Sequence, residues 1–417
     1  MKVRIRRDVP EFDSRLFLSL HRFYIHEFAM SKKTDPFQIG PLLKSNTASS
    51  MRGIGAGVML VALFATAHTG TGQSAIAATA VGRTAQQGCT PQGGLSFLCG
   101  PESSEDLVRL PGTRWLIASG LNVGHPAHLF LIDTRTRAVS AVYPDAAVKP
   151  RAAAGLPSRC VAAPDPATFS IDGLALRPGQ QGVHTLYASN HGGREAIEVF
   201  EVDARGRRPV LRWTGCIPMP TGTRPNAVTV LPDGGVLAIS FHDPADPKAW
   251  ERMARGEDTG RIFEWQPDQG LREVPGSHMS GGNGIAVSAD ATEIYASAWS
   301  GARLVVLSRP TGQRREIPLP FLPDNLHRLD DGTLLVGGQR TTVGAVARCQ
   351  GPRCPQPWVV ARVDPSSGSV ETLLEGPGDA RVDYACGTIA VDGTLYVTVR
   401  GDRRLVVAPF KYRMTSH

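Results

Sequence analysis

The chain has 417 residues, 41% hydrophobic and 20% charged, with 45 glycines, 32 prolines and a formal net charge of +7. That is the composition of a turn-rich globular protein, long enough for one large all-β domain plus an N-terminal appendage. The 45 lysines and arginines are scattered, with pairs such as Arg207–Arg208, Arg314–Arg315 and Arg403–Arg404 in or beside predicted turns; this is not the basic stripe with interleaved aromatics that a nucleic-acid surface needs.

Residues 1–50 are mixed, charged and without a repeat, and are expected to be a poorly structured extension. Residues 51–80 carry a basic start at Arg52, an apolar stretch from Val58 to Ala67, and small residues ending in Ala75–Ala77 and Ala78–Ala80. That is the pattern of a secretory signal peptide cleaved after Ala80. The apolar run is too short for a comfortable membrane span, so no stable insertion is expected after cleavage. Met51 is a candidate initiator; an unusually long leader acting as a signal anchor is the alternative. A periplasmic or secreted protein is expected. All seven cysteines follow Ala80, and in an oxidising compartment they pair and leave one odd thiol. Cys89 with Cys99 and Cys349 with Cys354 are close in sequence, and Cys160 and Cys216 can meet across adjacent blades; spacing alone does not settle connectivity.

From residue 81 to 417 the chain reads as repeats. Six times a polar or small leading residue precedes a short apolar strand and its turn: Glu105–Asp106, Asp172, Asn226, Asn283, Asp324–Asn325 and, most weakly, Gly387. Between the leaders lie alternating hairpins such as HLFLIDTRTRAVSAVYP, IEVFEVDARGRRPVLRWTG and WVVARVDPSSGSVETLLEG. A leading strand pair plus a hairpin makes a four-stranded blade of about 40–50 residues. Six copies predict an all-β, six-bladed β-propeller with a central tunnel, in which radial repetition protects the sheet edges. Loops 121–128, 144–168 and 242–260 shape the pocket, the last two covering the mouth of the axis. Trp250 to Arg255 is expected to form a short helix there. His242, His278 and His327 are candidates to line the mouth, and Trp299 to floor an apolar pocket, with plain loop and blade packing as the alternative for each.

In such a ring Glu105, Asn226, Asn283 and Asp324 point at the axis from four blades. Two carboxylates and two amide oxygens form the oxygen-rich, nearly charge-balanced cage that suits Ca2+ better than Mg2+, whereas zinc prefers histidine or cysteine.

Taken in order, Glu105–Asp106 in SSEDLVRLP, Asn190–His191 in LYASNHGGREAIEVFEVD, Asn226 in PNAVTVLPDG, Asn283 in GGNGIAVSAD and Asp324–Asn325 in PDNLHRLDDG resemble the paraoxonase (arylesterase/lactonase) family. More broadly they resemble the calcium-dependent phosphotriesterase superfamily, which includes the gluconolactonase and regucalcin group. The resemblance covers roughly residues 100–410. It implies a catalytic Ca2+ held by Glu105, Asn226, Asn283, Asp324 and Asn325, a proton-transfer role for His191, and substrate contact by Arg224 beside Asn226. Asp172 stands where the family's principal histidine would be. Ala227 stands where the second, structural calcium takes an aspartate, which argues against that ion. The family's disulfide joining the chain ends is unsupported, because Cys386 sits too early.

The implied reaction is hydrolysis of a small lactone or ester. Asp172, alone or with His191, or else Asp324, would take the proton from water, and Asn226 and Asn283 would help hold the developing oxyanion. Two other readings share the fold. One is a non-catalytic propeller that binds a partner on its top face with a structural Ca2+; the other is a strictosidine-synthase-like condensing enzyme, which needs no metal cage.

Overall fold

The structure is a computed structural model that describes residues 89–91, 93–157, 160–349, 353–379 and 382–410. The expected N-terminal extension 1–50 and the expected signal peptide 51–80 lie outside the described residues. The described residues form six four-stranded antiparallel sheets, the blades of a six-bladed β-propeller. The inner strands are Leu107–Arg109, Ile171–Arg177, Pro225–Val230, Gly282–Val287, Leu322–Arg328 and Ala385–Val391. The predicted hairpins become outer strand pairs, as with Ala196–Asp203 and Val210–Pro218 in blade two.

Strand residues alternate between the two faces of a sheet, so each blade offers apolar side chains to both neighbours. One cluster fills each interface: Leu131, Phe169, Leu186 and Phe200, all fully buried, join blades one and two. The ring closes through Leu98, Leu107, Leu116, Ile389 and Leu405 between blades six and one.

Blade six differs from the expected self-contained copy. Its outermost strand is Ser96–Cys99, which pairs with Arg404–Pro409. Among the described residues the fourth strand of this blade comes from the segment ahead of blade one, which covers that edge. The Cys89–Cys99 disulfide ties this strand to the loop before it.

Cys160–Cys216 and Cys349–Cys354 also form, leaving Cys386 as the free thiol. Cys160–Cys216 does not bridge two blades. It pins the loop between blades one and two to the outer strand of blade two. Arg151 N and Ala153 N of this loop donate to Trp213 O and Thr214 O, so the stretch from 144 to 157 runs along the outside of blade two instead of over the axis. The loop 242–260 carries the expected helix, at Ala249–Ala254. Three disulfides belong to an oxidising compartment. No helix among the described residues is long and apolar enough to cross a membrane.

Five inner strands share a register shift near their start, between Ile171 and Leu174, Pro225 and Val228, Gly282 and Ile285, Pro323 and Leu326, and Ala385 and Thr388. A bulge re-aims the side chain at the extra residue. The first bulged residues are Asp172, Asn226, Asn283, Asp324 and Cys386, with Glu105 at the matching place in blade one. The sixth leader is therefore Cys386, not Gly387.

Gly387 holds the second bulged position, like Gly173 and Gly284, where the next blade comes close. A Cβ on Gly284 would lie 2.5 Å from Asp324 O and 2.8 Å from Leu326 N. Both are backbone atoms that cannot move without shifting the Asp324 leader. Gly284→Ala is expected to cost about 1–3 kcal/mol, as overpacking does. Thermal melting checks this, and an unchanged Tm would contradict the close approach. Below the leaders the inner strands enclose a cavity of about 760 Å3, lined by Val108, Leu176, Val230, Val287 and Val391.

Candidate metal centre

The five bulges and the matching place in blade one bring side chains from six blades into one buried place. Glu105, Asp172, Asn283, Asp324 and Asn325 are each at most 7% exposed, and Cys386 is fully buried. Carboxylate oxygens of Glu105 and Asp324 and the Cys386 sulfur lie within 4.8 Å of one another. Burial pushes the Glu105 carboxyl well above the ordinary range, and the charges of Asp172 and then Asp324 push the same way while Arg400 opposes them. Burial likewise raises Asp324, to about 7, with Asp172 adding to the rise and the Gln339 hydrogen bond working against it. Half-exposed Arg400 reaches Glu105 with Nε 3.5 Å from Oε1.

Asn226 Oδ1, Asn283 Oδ1 and Asn325 Oδ1 are buried with no hydrogen-bond partner among the described residues, as is Asp172 Oδ1. An unpaired buried oxygen costs about 1–3 kcal/mol, and buried carboxylates side by side cost more. Oxygens from separate blades that lack donors and surround close carboxylates fit a cation with oxygen ligands. Asn226, Asn283 and Asn325 supply such oxygens and Glu105 and Asp324 the carboxylates, with Asn325 Nδ2 bonded to Glu105 O at 3.1 Å and the Asp324 oxygens already accepting from Asn325 N and Gln339 Nε2.

The two catalytic candidates beside the cage are joined. His191 follows the strand Val183–Asn190, and its Nε2 lies 3.0 Å from Asp172 Oδ2. Its Nδ1 lies 2.7 Å from Glu195 Oε2. A neutral imidazole carries one N–H, so satisfying both contacts needs one further proton in the Asp172–His191–Glu195 array. Asn226 Nδ2 also donates to Asp172 Oδ2, at 3.2 Å. Oδ1 of Asp172 is left free. Arg224 is at the rim, 39% exposed at the side chain, with a guanidinium nitrogen 3.7 Å from Glu195 Oε1.

Several supports carry no sequence signature. Gln339, the last residue of the strand Leu334–Gln339, donates to Asp324 Oδ2 at 2.9 Å and to Ala385 O at 2.8 Å. Its own oxygen accepts from Trp299 Nε1 at 2.9 Å. Trp299 is thus a buried strut for Asp324 and not the floor of an open pocket. It also stacks edge-on with Phe241 and Trp250, and Trp250, 38% exposed, presents the apolar surface at that side of the mouth.

The histidines separate. His242 has a buried, unpartnered Nδ1, and burial lowers its pKa. His278 is exposed and bonded to Glu273, away from the axis. His327 Nε2 lies 2.7 Å from Asp106 Oδ1, on the cavity side. Asp106 also accepts from Leu107 N and Leu174 N, so its carboxylate is held by protein donors as well as by His327.

Protonation of Asp324 and Glu105 is easier in the folded than in the unfolded chain, so the folded state binds more protons between the two values. In the metal-free protein these two carboxyls contribute their stabilisation below about pH 4, the unfolded aspartate value, and lose it as pH rises to about 7, whereas carboxyls held low, such as Asp203, Asp290 and Asp364, lose theirs only as pH falls below about 4. Added Ca2+ then raises Tm more at pH 8 than at pH 5. Melting curves with EDTA or Ca2+ across that range test it; a metal-free Tm that climbs between pH 4 and 7 is the contrary result.

No family model matches the sequence, and no curated protein sequence matches it. Among solved structures, the chain is similar to a gluconolactonase from Xanthomonas campestris, with 19% identity and a TM-score of 0.50 over 76% of this chain and 89% of that one. A luciferin-regenerating enzyme aligns with 14% identity and a TM-score of 0.48, over 75% of this chain and 92% of that one. The likeness to the gluconolactonase is one of fold.

Proposed function

We propose that the protein is an exported, calcium-dependent hydrolase of lactones or aryl esters working at the top of the propeller axis. The observation that carries this is the set of buried amide oxygens without donors, Asn226 Oδ1 and Asn283 Oδ1, beside the close carboxylates of Glu105 and Asp324. The ordered motifs that resemble the paraoxonase family and the gluconolactonase fold likeness agree with it. Glu105, Asn226, Asn283, Asp324 and Asn325 would hold the ion. A bound Ca2+ supplies Lewis-acid polarisation of the substrate carbonyl.

The remaining work falls to the chain. Asp172 Oδ1 takes the proton from the attacking water, because Oδ2 is occupied by His191 and Asn226. Asp324 is the poorer base, since Asn325 N bonds its Oδ1 at 3.0 Å and Gln339 its Oδ2. His191 holds Asp172 in place through Nε2 and is itself positioned by Glu195 at Nδ1. Arg224 meets the oxygen-bearing end of the substrate at the rim, and Trp250 and Phe241 wall the apolar side.

The test is hydrolysis of a lactone panel and phenyl acetate by the purified protein, with Ca2+ and after EDTA. Turnover that vanishes with chelator and returns with Ca2+ is the expected result. Absent turnover while Ca2+ still raises Tm would replace the enzyme by a binding propeller with a structural ion.

A further inference from the structure

The six leading positions are not all oxygen. Blade six supplies Cys386, which has no disulfide partner and is fully buried. A buried thiol is more often a small apolar filler, and Cys386 does pack with Met253, Trp299, Leu322 and Tyr384. Two features set it apart from filler. It occupies the bulge position that in the other five blades holds Glu105, Asp172, Asn226, Asn283 or Asp324. Its sulfur also lies within 4.8 Å of ligand oxygens on both Glu105 and Asp324. Independently, Asn283 is 6% exposed and leaves Oδ1 without a partner at the same position of its blade.

Two carboxylates and a sulfur within reach of one point are not a calcium set. Calcium takes oxygen. Zn2+ and its relatives Co2+ and Cd2+ take thiolate together with carboxylate. We propose that Cys386 is a ligand of the axial site and gives it a second mode, in which a thiophilic dication is held by Glu105, Asp324 and Cys386 in competition with Ca2+. The inference rests on the reading that this axis holds a cation. On binding, the S–H bond breaks, a metal–sulfur bond forms and the proton leaves to solvent; nothing is oxidised or reduced. Ions of this class would then inhibit the calcium enzyme by occupying its site.

The experiment is titration of the metal-free, non-reduced protein with Cd2+ and with Co2+, following the thiolate-to-metal charge-transfer absorption in the near ultraviolet. A stoichiometric band is expected, lost in Cys386→Ser and in Cys386→Ala and displaced from the wild type by excess Ca2+. The Ca2+-induced rise in Tm should persist in Cys386→Ser, which also shows that the variant is folded. A Tm shift by Cd2+ without the band, or a band that survives both substitutions, overturns the role of Cys386 and leaves the calcium reading standing. If neither Ca2+ nor Cd2+ changes Tm or absorption, the cation site itself is wrong, and this proposal goes with it.

Discussion

Asp324→Asn is expected to remove Ca2+-dependent hydrolysis and the Ca2+-induced rise in Tm, yet to make the metal-free protein more stable at neutral pH. The two directions have one cause. Asp324 is 3% exposed and shares its surroundings with Glu105 and Asp172. Without a cation, those carboxylates meet low dielectric and one another, which is why burial and mutual repulsion hold Glu105 and Asp324 above their ordinary values. An amide of the same shape removes one negative charge from that group. Its oxygen can still accept from Gln339, whose Nε2 is 2.9 Å from Asp324 Oδ2, and the loss of the bond from Asn325 N to Oδ1, one neutral acceptor, is smaller than the relief of a buried negative charge. The site needs both carboxylates to balance a divalent ion, and losing several kcal/mol of charge stabilisation corresponds to roughly a 10^3-fold fall in rate. Chelator-treated wild type and variant should therefore cross: the variant melts higher without metal, and the wild type melts higher with Ca2+. If the variant binds Ca2+ as the wild type does, Asp324 is not a ligand.

The leaders Asp172, Asn226, Asn283 and Asp324 were legible because their signal is local. A polar residue, a small or polar one and then an apolar run is the bulge written in sequence, and three of the second positions are Gly173, Gly284 and Gly387 because the next blade's backbone lies against them. Cys386 was missed by one residue, since nothing in a thiol beside a glycine marks it as equivalent to an aspartate; only the strand register does. Gln339, Glu195 and Arg400 were invisible for a different reason. They come from second strands or the loops after them: strand pairing within blade five sets Gln339 against Asp324, a tight loop sets Glu195 against His191, and only the closed ring brings Arg400 against Glu105. The closing strand Ser96–Cys99 is four residues long and finds its partner at the far end of the chain, so no repeat announces it. The loop from 144 to 157 lacks strand alternation, yet its backbone still bonds to blade two through Arg151 and Ala153.

The second large effect is expected at Asp172, where the outcome separates a base from a ligand. Asp172→Asn keeps the shape and leaves an oxygen able to accept from Asn226 Nδ2, now 3.2 Å from Oδ2. It removes the only atom of the array that is both free and able to accept a proton from water, the unpartnered Oδ1. Loss of general-base catalysis is worth about 10^2–10^4-fold, and it should fall on kcat with KM little changed. The Ca2+-induced rise in Tm should remain, because Glu105, Asn226, Asn283 and Asp324 are untouched. His191→Gln is expected to cost less than Asp172→Asn, since a side-chain amide can still donate to Asp172 while the contact with Glu195 is lost. Should Asp172→Asn abolish the Ca2+ effect on Tm along with activity, Asp172 belongs to the cage, and the proton acceptor must be sought at Asp324. Loss of kcat alone, with Ca2+ binding intact and His191→Gln intermediate, ties the aspartate to proton transfer: a ligand's loss would weaken Ca2+ binding, and a merely structural residue's loss would lower Tm without regard to Ca2+.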